Sequence, residues 1–396
     1  MKLRKIIIAS PDISTGGLGS YIDTLATGLK VRGWDVHFIS TNTRGDFFDL
    51  LKKSVECHDL SEQPLSRKKI LKAAELVNSI SPDILLMNNC SLIHYTLPLV
   101  GNKTKPIAVL HSNDDRFYKT AAFCGRRIFR WIAPTQGVAD RCKTYLSQEQ
   151  RKSVYVIPHG IDPALFTVNR NRGKKISGNI CFVGFIAENK GADLLPDILL
   201  RVSLAYPDVR LTIVGHGPLE RTLKSLCEAN GILDKCIFTG RVRREKVAEV
   251  LRASGILVLP TRIEGFGLSI VEAMMSGTVP VVSKIKGVTD DIVSHGITGS
   301  LIEPDDTEGF ADAIVDLLKN PVKLISMSEA ARETAAHRYS SQKMLDAYET
   351  LFGEDDNRQN IPCKGTVGWM MEAIQEVMKK GIDRTWISNR ITGNWK

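Results

Sequence analysis

The chain has 396 residues, with 53 Lys and Arg against 44 Asp and Glu for a formal charge of +9. It is 43% hydrophobic and 24% charged, a globular balance that excludes a disordered, collagen-like or disulfide-scaffold protein. The length predicts two domains, or one large one, with a sizeable buried core.

The N-terminal run Lys5-Ile6-Ile7-Ile8-Ala9 is cut by Pro11 and Asp12. It is too short for a signal-peptide core and reads as a buried first strand. No segment approaches the ~18 unbroken apolar residues of a membrane span. The cysteines at 57, 90, 124, 142, 181, 227, 236 and 363 are scattered, with no C-x-x-C pair. That pattern fits neither a zinc ribbon nor a disulfide framework, and a reduced cytoplasmic protein is the expectation.

Short apolar runs predict strands at Lys5–Ser10, Trp34–Ile39, Asp83–Met87, Ile107–His111, Trp131–Ala133 and Val154–Ile157. A second series lies at Ile180–Gly184, Val209–Val214, Cys236–Thr239, Ile256–Leu259, Val279–Ser283 and Ser300–Ile302. Near-continuous Val/Ile/Leu runs indicate strands covered on both faces, as in parallel sheets. Amphipathic helices fit between them at Tyr21–Val31, Glu245–Ser254 and Thr307–Lys319. The predicted fold class is therefore α/β, with two Rossmann-like doubly wound domains.

The polar, Gly-containing stretch Val168–Asn179 is the best seam. It divides an N-terminal domain, 1–170, from a second domain, 171–352. A C-terminal extension of 353–396 contains a predicted helix at Val367–Lys380. Charge divides at the same place. Residues 1–175 carry 27 Lys and Arg against 15 Asp and Glu, whereas the remainder is slightly acidic.

The segment from Pro260 to Ala273 carries the sharpest chemistry. Gly265-Phe266-Gly267 follows a buried strand and opens a helix. Such a turn lets backbone N–H groups approach an anion, and the helix dipole adds to the attraction. Glu264 and Glu272 flank that site and can accept bonds from sugar or ribose hydroxyls.

This Glu-x7-Glu segment resembles the donor motif of retaining GT-B glycosyltransferases of family 4, the glycosyl transferases group 1. Further matches follow in order: Gly16-Gly17-Leu18-Gly19, Val156-Ile157-Pro158-His159-Gly160-Ile161-Asp162, Val183-Gly184-Phe185 through Lys190-Gly191, and Gly296-Ile297-Thr298-Gly299 with Pro304. Together they cover roughly residues 1–352.

The resemblance implies two domains facing across a cleft, the first taking the acceptor and the second the donor. It implies that Glu272 holds the ribose. Glu264, with the backbone of Phe266, Gly267 and Leu268, would hold the donor sugar and the distal phosphate. Lys190 would offset the diphosphate, and Gly16 and Gly17 would let the first domain close over the donor. Gly184 belongs to the diphosphate loop, and His111 would sit beside the transferred sugar. The catalytic set so implied is His111, Glu264 and Lys190.

Two positions depart from the family pattern. Phe185 stands where the family has an arginine, with Arg241, Arg243, Arg244 or Arg262 as substitutes, and Arg241 is counted among the donor-binding residues. Lys286 stands where the family has a glycine, and it either reaches the donor or is solvated.

The chain has no Asp-x-Asp, so a metal-clamped diphosphate is not expected and no cofactor is required. Asp114 and Asp115 lie near His111 as carboxylates to be tested. Gly215-His216-Gly217 reads as a turn.

The implied activity is a metal-independent, retaining hexosyl transfer from a nucleoside-diphosphate sugar, UDP first among the nucleotides. The acceptor would be a glycan or lipid-linked glycan, in bacterial surface polysaccharide or lipopolysaccharide synthesis. The alternatives are a non-catalytic donor-fold subunit, a nucleotide-sugar epimerase of the same fold, or a phosphorylase. The basic stretches Arg67-Lys68-Lys69 with Lys72, Arg116-Phe117-Tyr118-Lys119, and Arg126-Arg127 admit two readings. One is ordinary solvation and the other is peripheral contact with an anionic membrane at its inner face. No nucleic-acid motif accompanies the charge, so nucleic acid is not an expected partner.

Overall fold

A computed structural model describes residues 4–14, 16–62, 64–112, 114–122, 125–167 and 178–355. Its first sheet comprises β1 (Lys5–Ser10), β2 (Asp35–Ser40), β3 (Glu56–Asp59), β4 (Ile84–Asn88), β5 (Lys105–Val109), β6 (Arg130–Ala133) and β7 (Val154–Val156). The order is β3-β2-β1-β4-β5-β6-β7, parallel throughout. The second sheet comprises β8 (Asn179–Val183), β9 (Arg210–Val214), β10 (Cys236–Gly240), β11 (Ile256–Leu259), β12 (Val279–Ser283) and β13 (Ser300–Ile302). Its order is β10-β9-β8-β11-β12-β13, also parallel. Both are doubly wound Rossmann-like sheets.

The period-2 alternation of a strand puts successive residues on opposite faces. Ile7, Ala9, Leu85 and Met87 enter one core of the first domain, and Ile6, Ile8 and Leu86 enter the other. Continuous apolar runs are what such a two-faced sheet requires. The strand that sequence patterning misses is β3. Its residues Glu-Cys-His-Asp contain no apolar run, because it is an edge strand with little core to fill.

The final helix changes the domain assignment. Residues Ser341–Gly353 form a helix whose Met344, Leu345, Tyr348, Leu351 and Phe352 enter the core of the first domain. Arg32 pairs with Glu349 at 2.5 Å and with Asp346 at 2.7 Å, and the Trp34 indole donates to Glu349 at 2.8 Å. The interval 171–352 is therefore not all second domain, since its end returns to complete the first. The seam residues 168–177 and the predicted helix at Val367–Lys380 lie outside the described residues. Among the described residues, no helix is long and apolar enough to cross a membrane.

Candidate functional site

In open parallel sheets, ligands bind beyond the C-terminal ends of the strands, where the strand order reverses. The two sheets turn these ends toward one cleft of about 360 Å³. Gly16 and Gly17 follow β1, His111 follows β5, Gly184 and Lys190 follow β8, Arg241 follows β10, and Glu264 through Leu268 follow β11. All of these but Gly265, together with Glu272, line that cleft. The structure thus brings together every predicted site residue.

Two helices open into the cleft, one from each domain. Gly267 adopts a left-handed conformation (φ 89°) and starts the helix Leu268–Met275. In the first turn, the amides of Leu268 and Ser269 have no intrahelical acceptor. Across the cleft, Gly16 (φ 142°) starts the helix Gly17–Val31. A Cβ on Gly17 would stand 3.1 Å from Leu268 Cδ1, so the two N-termini meet closely. Two positive helix ends facing one space favour an anion there.

The charged side chains complete the arrangement. Lys190 Nζ donates to Glu264 Oε2 at 2.6 Å, and Glu264 Oε1 accepts from the Gly265 amide at 3.2 Å. Glu272 is buried, which pushes its carboxyl up to about 7, against the opposing pull of Arg244. Arg244 Nε lies 3.8 Å from Glu272 Oε1, and its Nη1 donates to Thr24 Oγ1 of the first domain at 3.2 Å. Its Nε and Nη2 are buried without a hydrogen-bond partner. Arg241 pairs with Asp46 of the first domain.

Of the other substitutes for the missing arginine, Arg262 is committed to Asp193 at 2.8 Å and to Asp305 at 2.7 Å, away from the lining. Arg243 and Lys286 are exposed and do not line the cleft. Phe185 does line it, edge-on to His216 with ring centroids 5.5 Å apart.

His111 sits in a closed chain of hydrogen bonds. Its Nε2 is 2.9 Å from Asn88 Oδ1, and its Nδ1 is 3.1 Å from His159 Nε2. Asn88 Nδ2 donates to the carbonyl of Ala9 at 3.2 Å, which leaves Oδ1 as the acceptor. His111 must then donate from Nε2 and accept at Nδ1 from His159. The Nδ1 of His159 is a buried acceptor without a partner. Burial pushes His111 down to about 3. Burial, then the neighbouring His111, pushes His159 well below the usual histidine range. These shifts favour neutral rings, each with one proton, and both His111 nitrogens are engaged in this chain. The rings of Tyr21 and Phe266 enclose the pair, and the Tyr21 hydroxyl meets that of Tyr348 at 2.5 Å.

Sequence reading missed His159 as a site residue, although its place in the Val156–Asp162 segment marked it. It named Arg244 only as a substitute. Gly215 and His216, read as a plain turn, line the cleft. Asp114 pairs with Arg116, and Asp115 pairs with Arg141 at 2.8 Å. Neither aspartate lines the cleft. Lys69, counted in a basic surface stretch, turns inward and donates to the Thr41 carbonyl at 2.7 Å. Tyr118 of the second stretch is fully buried.

Two family models match the chain: Glycosyltransferase Family 4 over residues 15–165 and Glycosyl transferases group 1 over residues 168–334. The chain is 27% identical over 383 residues to the N-acetyl-alpha-D-glucosaminyl L-malate synthase of Bacillus anthracis, covering 89% of this chain and 97% of that one. It is 33% identical over 216 residues to the D-inositol 3-phosphate glycosyltransferase of Mycolicibacterium smegmatis, covering 51% and 48%. In fold it is similar to Anabaena Alr3699/HepE, solved in complex with UDP and glucose. The TM-score is 0.76 at 18% identity, covering 88% of this chain and 99% of that one.

Proposed function

The chain belongs to the GT-B glycosyltransferases of the family 4 and group 1 class, and from that premise we propose that it transfers a hexosyl group, with anomeric retention, from a nucleoside-diphosphate sugar to a hydroxyl of a glycan or lipid-linked glycan. UDP is the favoured nucleotide, and a bacterial surface polysaccharide is the favoured destination. The observation that carries this reading is the Lys190–Glu264 pair, set between two opposed helix N-termini in one interdomain cleft.

In the proposed reaction, Glu272 accepts bonds from the ribose hydroxyls. The amides of Leu268 and Ser269 face the distal phosphate. As the bond from the sugar C1 to the diphosphate breaks, negative charge grows on the leaving oxygen, and Lys190 and the helix ends stabilise it. The acceptor oxygen bonds to C1 on the face the diphosphate leaves, and its proton passes to the departing phosphate. Glu264 orients the sugar and holds Lys190. Closure of the cleft excludes the water that would otherwise hydrolyse the donor. The diphosphate charge is met by Lys190, Arg241 and Arg244, which supports a transfer step that needs no metal.

Phe185, in place of a phosphate-binding arginine, favours a second reading: a donor-fold subunit without catalysis. Thermal shift against UDP-, GDP- and ADP-sugars identifies the donor, because a ligand present at 100 times its Kd adds about 2.7 kcal/mol. Transfer and donor hydrolysis are then measured in Lys190→Ala and Glu264→Ala. A loss of about a hundredfold or more in each supports transfer. Unchanged rates in both would leave only the non-catalytic reading.

A further inference from the structure

At the edge of the first sheet, away from the cleft, three groups that ligate metals converge. His37 lies on β2, and Glu56 and His58 lie on the edge strand β3. Residues i and i+2 of a strand share a face, and the register sets His37 directly opposite Glu56. His37 Nδ1 faces His58 Nε2 at 3.2 Å. Both carboxylate oxygens of Glu56 flank the same gap, Oε2 at 3.6 Å from His37 Nδ1 and Oε1 at 3.6 Å from His58 Nε2. Among the described residues, this is the one cluster of three potential metal-binding side chains of this kind.

The spacing has a direct chemical meaning. Two imidazole nitrogens bound to one tetrahedral zinc at 2.0–2.1 Å stand about 3.3 Å apart. A single hydrogen bond between the rings would also fit 3.2 Å, but it would leave the flanking carboxylate with no role. The surroundings agree with a metal. If His37 Nδ1 binds a cation, its proton must sit on Nε2. That Nε2 is buried without a hydrogen-bond partner, and it lies 3.5 Å from Asp35 Oδ1. A carboxylate behind a ligating histidine fixes its tautomer and raises its basicity. Lys5 Nζ, 4.0 Å from Asp35, steadies that carboxylate. Glu56 is exposed, which leaves an entry path and a solvent position for a fourth ligand.

We propose that His37, Glu56 and His58 form a site for a divalent transition-metal cation, zinc above all, that clips the edge strand β3 to β2. Two imidazoles and one carboxylate are a donor set suited to zinc. The site is structural: it tethers a short edge strand with almost no core of its own, and it takes no part in sugar transfer.

The test uses the full chain stripped with a chelator. Zinc is titrated in competition with a chromophoric chelator, and cobalt(II) is titrated with visible absorption as the readout. One equivalent should bind, with four-coordinate cobalt bands and no thiolate charge-transfer band. Zinc should raise the Tm. His58→Gln and the exposed Glu56→Gln should each weaken binding by about tenfold or more and abolish the Tm rise, with native circular dichroism showing that both variants fold. No stoichiometric binding, unchanged affinity in both variants, or a thiolate band that assigns the metal to cysteines would each overturn the site.

Discussion

His159 donates its Nε2 proton to His111 Nδ1 at 3.1 Å, and His111 in turn donates its own Nε2 proton to Asn88 at 2.9 Å. The chain runs from a residue just after β7, through the end of β5, to the last residue of β4, so it ties three strand ends together beneath the cleft. His159→Phe would leave His111 Nδ1 buried without its donor. An unmet buried acceptor costs about 1–3 kcal/mol, and urea unfolding should show that loss. His159→Gln, which keeps an N–H near the same place, should recover part of it.

The same pair makes stability depend on pH. Both histidines are neutral in the folded state, with folded values far below the ordinary 6.5. Below pH 6.5 the unfolded chain binds protons that the folded chain refuses, so the pair's contribution is present above 6.5 and is lost as the pH falls. Glu272 acts in the opposite direction. Its folded value is raised from 4.5 to about 7. Between these values the folded state holds the proton and the unfolded state does not, so stability falls as pH rises across that window and levels off above it. Glu272→Gln should remove this term. Its Tm relative to the wild type should rise from pH 4.5 to pH 7 and then stay level. A constant difference across that range would mean that Glu272 is ionised throughout.

The strands and the cleft were legible because their signals are local. Ile256–Leu259 and Val279–Ser283 are apolar runs covered on both faces, and a run of that kind announces itself. The donor turn was legible because glycines, carboxylates and a helix start fall within one short segment. Three things were not legible, each for a physical reason. β3 gains its strand state from pairing with β2 and has no hydrophobic pattern of its own. The helix Ser341–Gly353 has an ordinary amphipathic face, and nothing in that face says which domain it covers. Its destination is set by distant partners such as Tyr21, Arg32 and Trp34. Arg244 looks like any first-turn arginine until the other domain places Thr24 beside it.

Under the proposed function, Arg244 would make good the arginine absent at Phe185. Its Nε and Nη2 are buried and unmatched, and its neighbour Glu272 faces the same cleft. Arg244→Ala should weaken donor binding, measured calorimetrically with the nucleoside diphosphate, by about tenfold or more. Losing a charged hydrogen-bond donor costs about 1.5–3 kcal/mol, and 1.4 kcal/mol is tenfold. Phe185→Arg, added to Arg244→Ala, should restore part of the affinity, because it returns a guanidinium to the diphosphate loop. If Arg244→Ala binds as well as the wild type, the charge at that position serves only the contact with Thr24.

Gly265 tests how closely the two domains must approach. Its Thr135 contact (Oγ1 to the Gly265 carbonyl, 3.2 Å) comes from the first domain. A Cβ at Gly265 would run into the carbonyl oxygen of His111 and stand 2.9 Å from Ser112 Cα. Both obstacles are backbone, and backbone does not move aside as a side-chain end does. Gly17 offers the contrast, since a Cβ there meets the flexible tip of Leu268 at 3.1 Å. Overpacking against a rigid neighbour costs about 1–3 kcal/mol. Gly265→Ala should therefore push the donor turn off the end of β5, weaken nucleoside-diphosphate binding by roughly five- to a hundredfold, and increase the radius of gyration measured by small-angle scattering. Gly17→Ala, whose Cβ meets only a side chain that can shift, should change both measurements less than Gly265→Ala does. Equal behaviour of the two variants would mean that the seat of Gly265 on His111 does not hold the cleft closed.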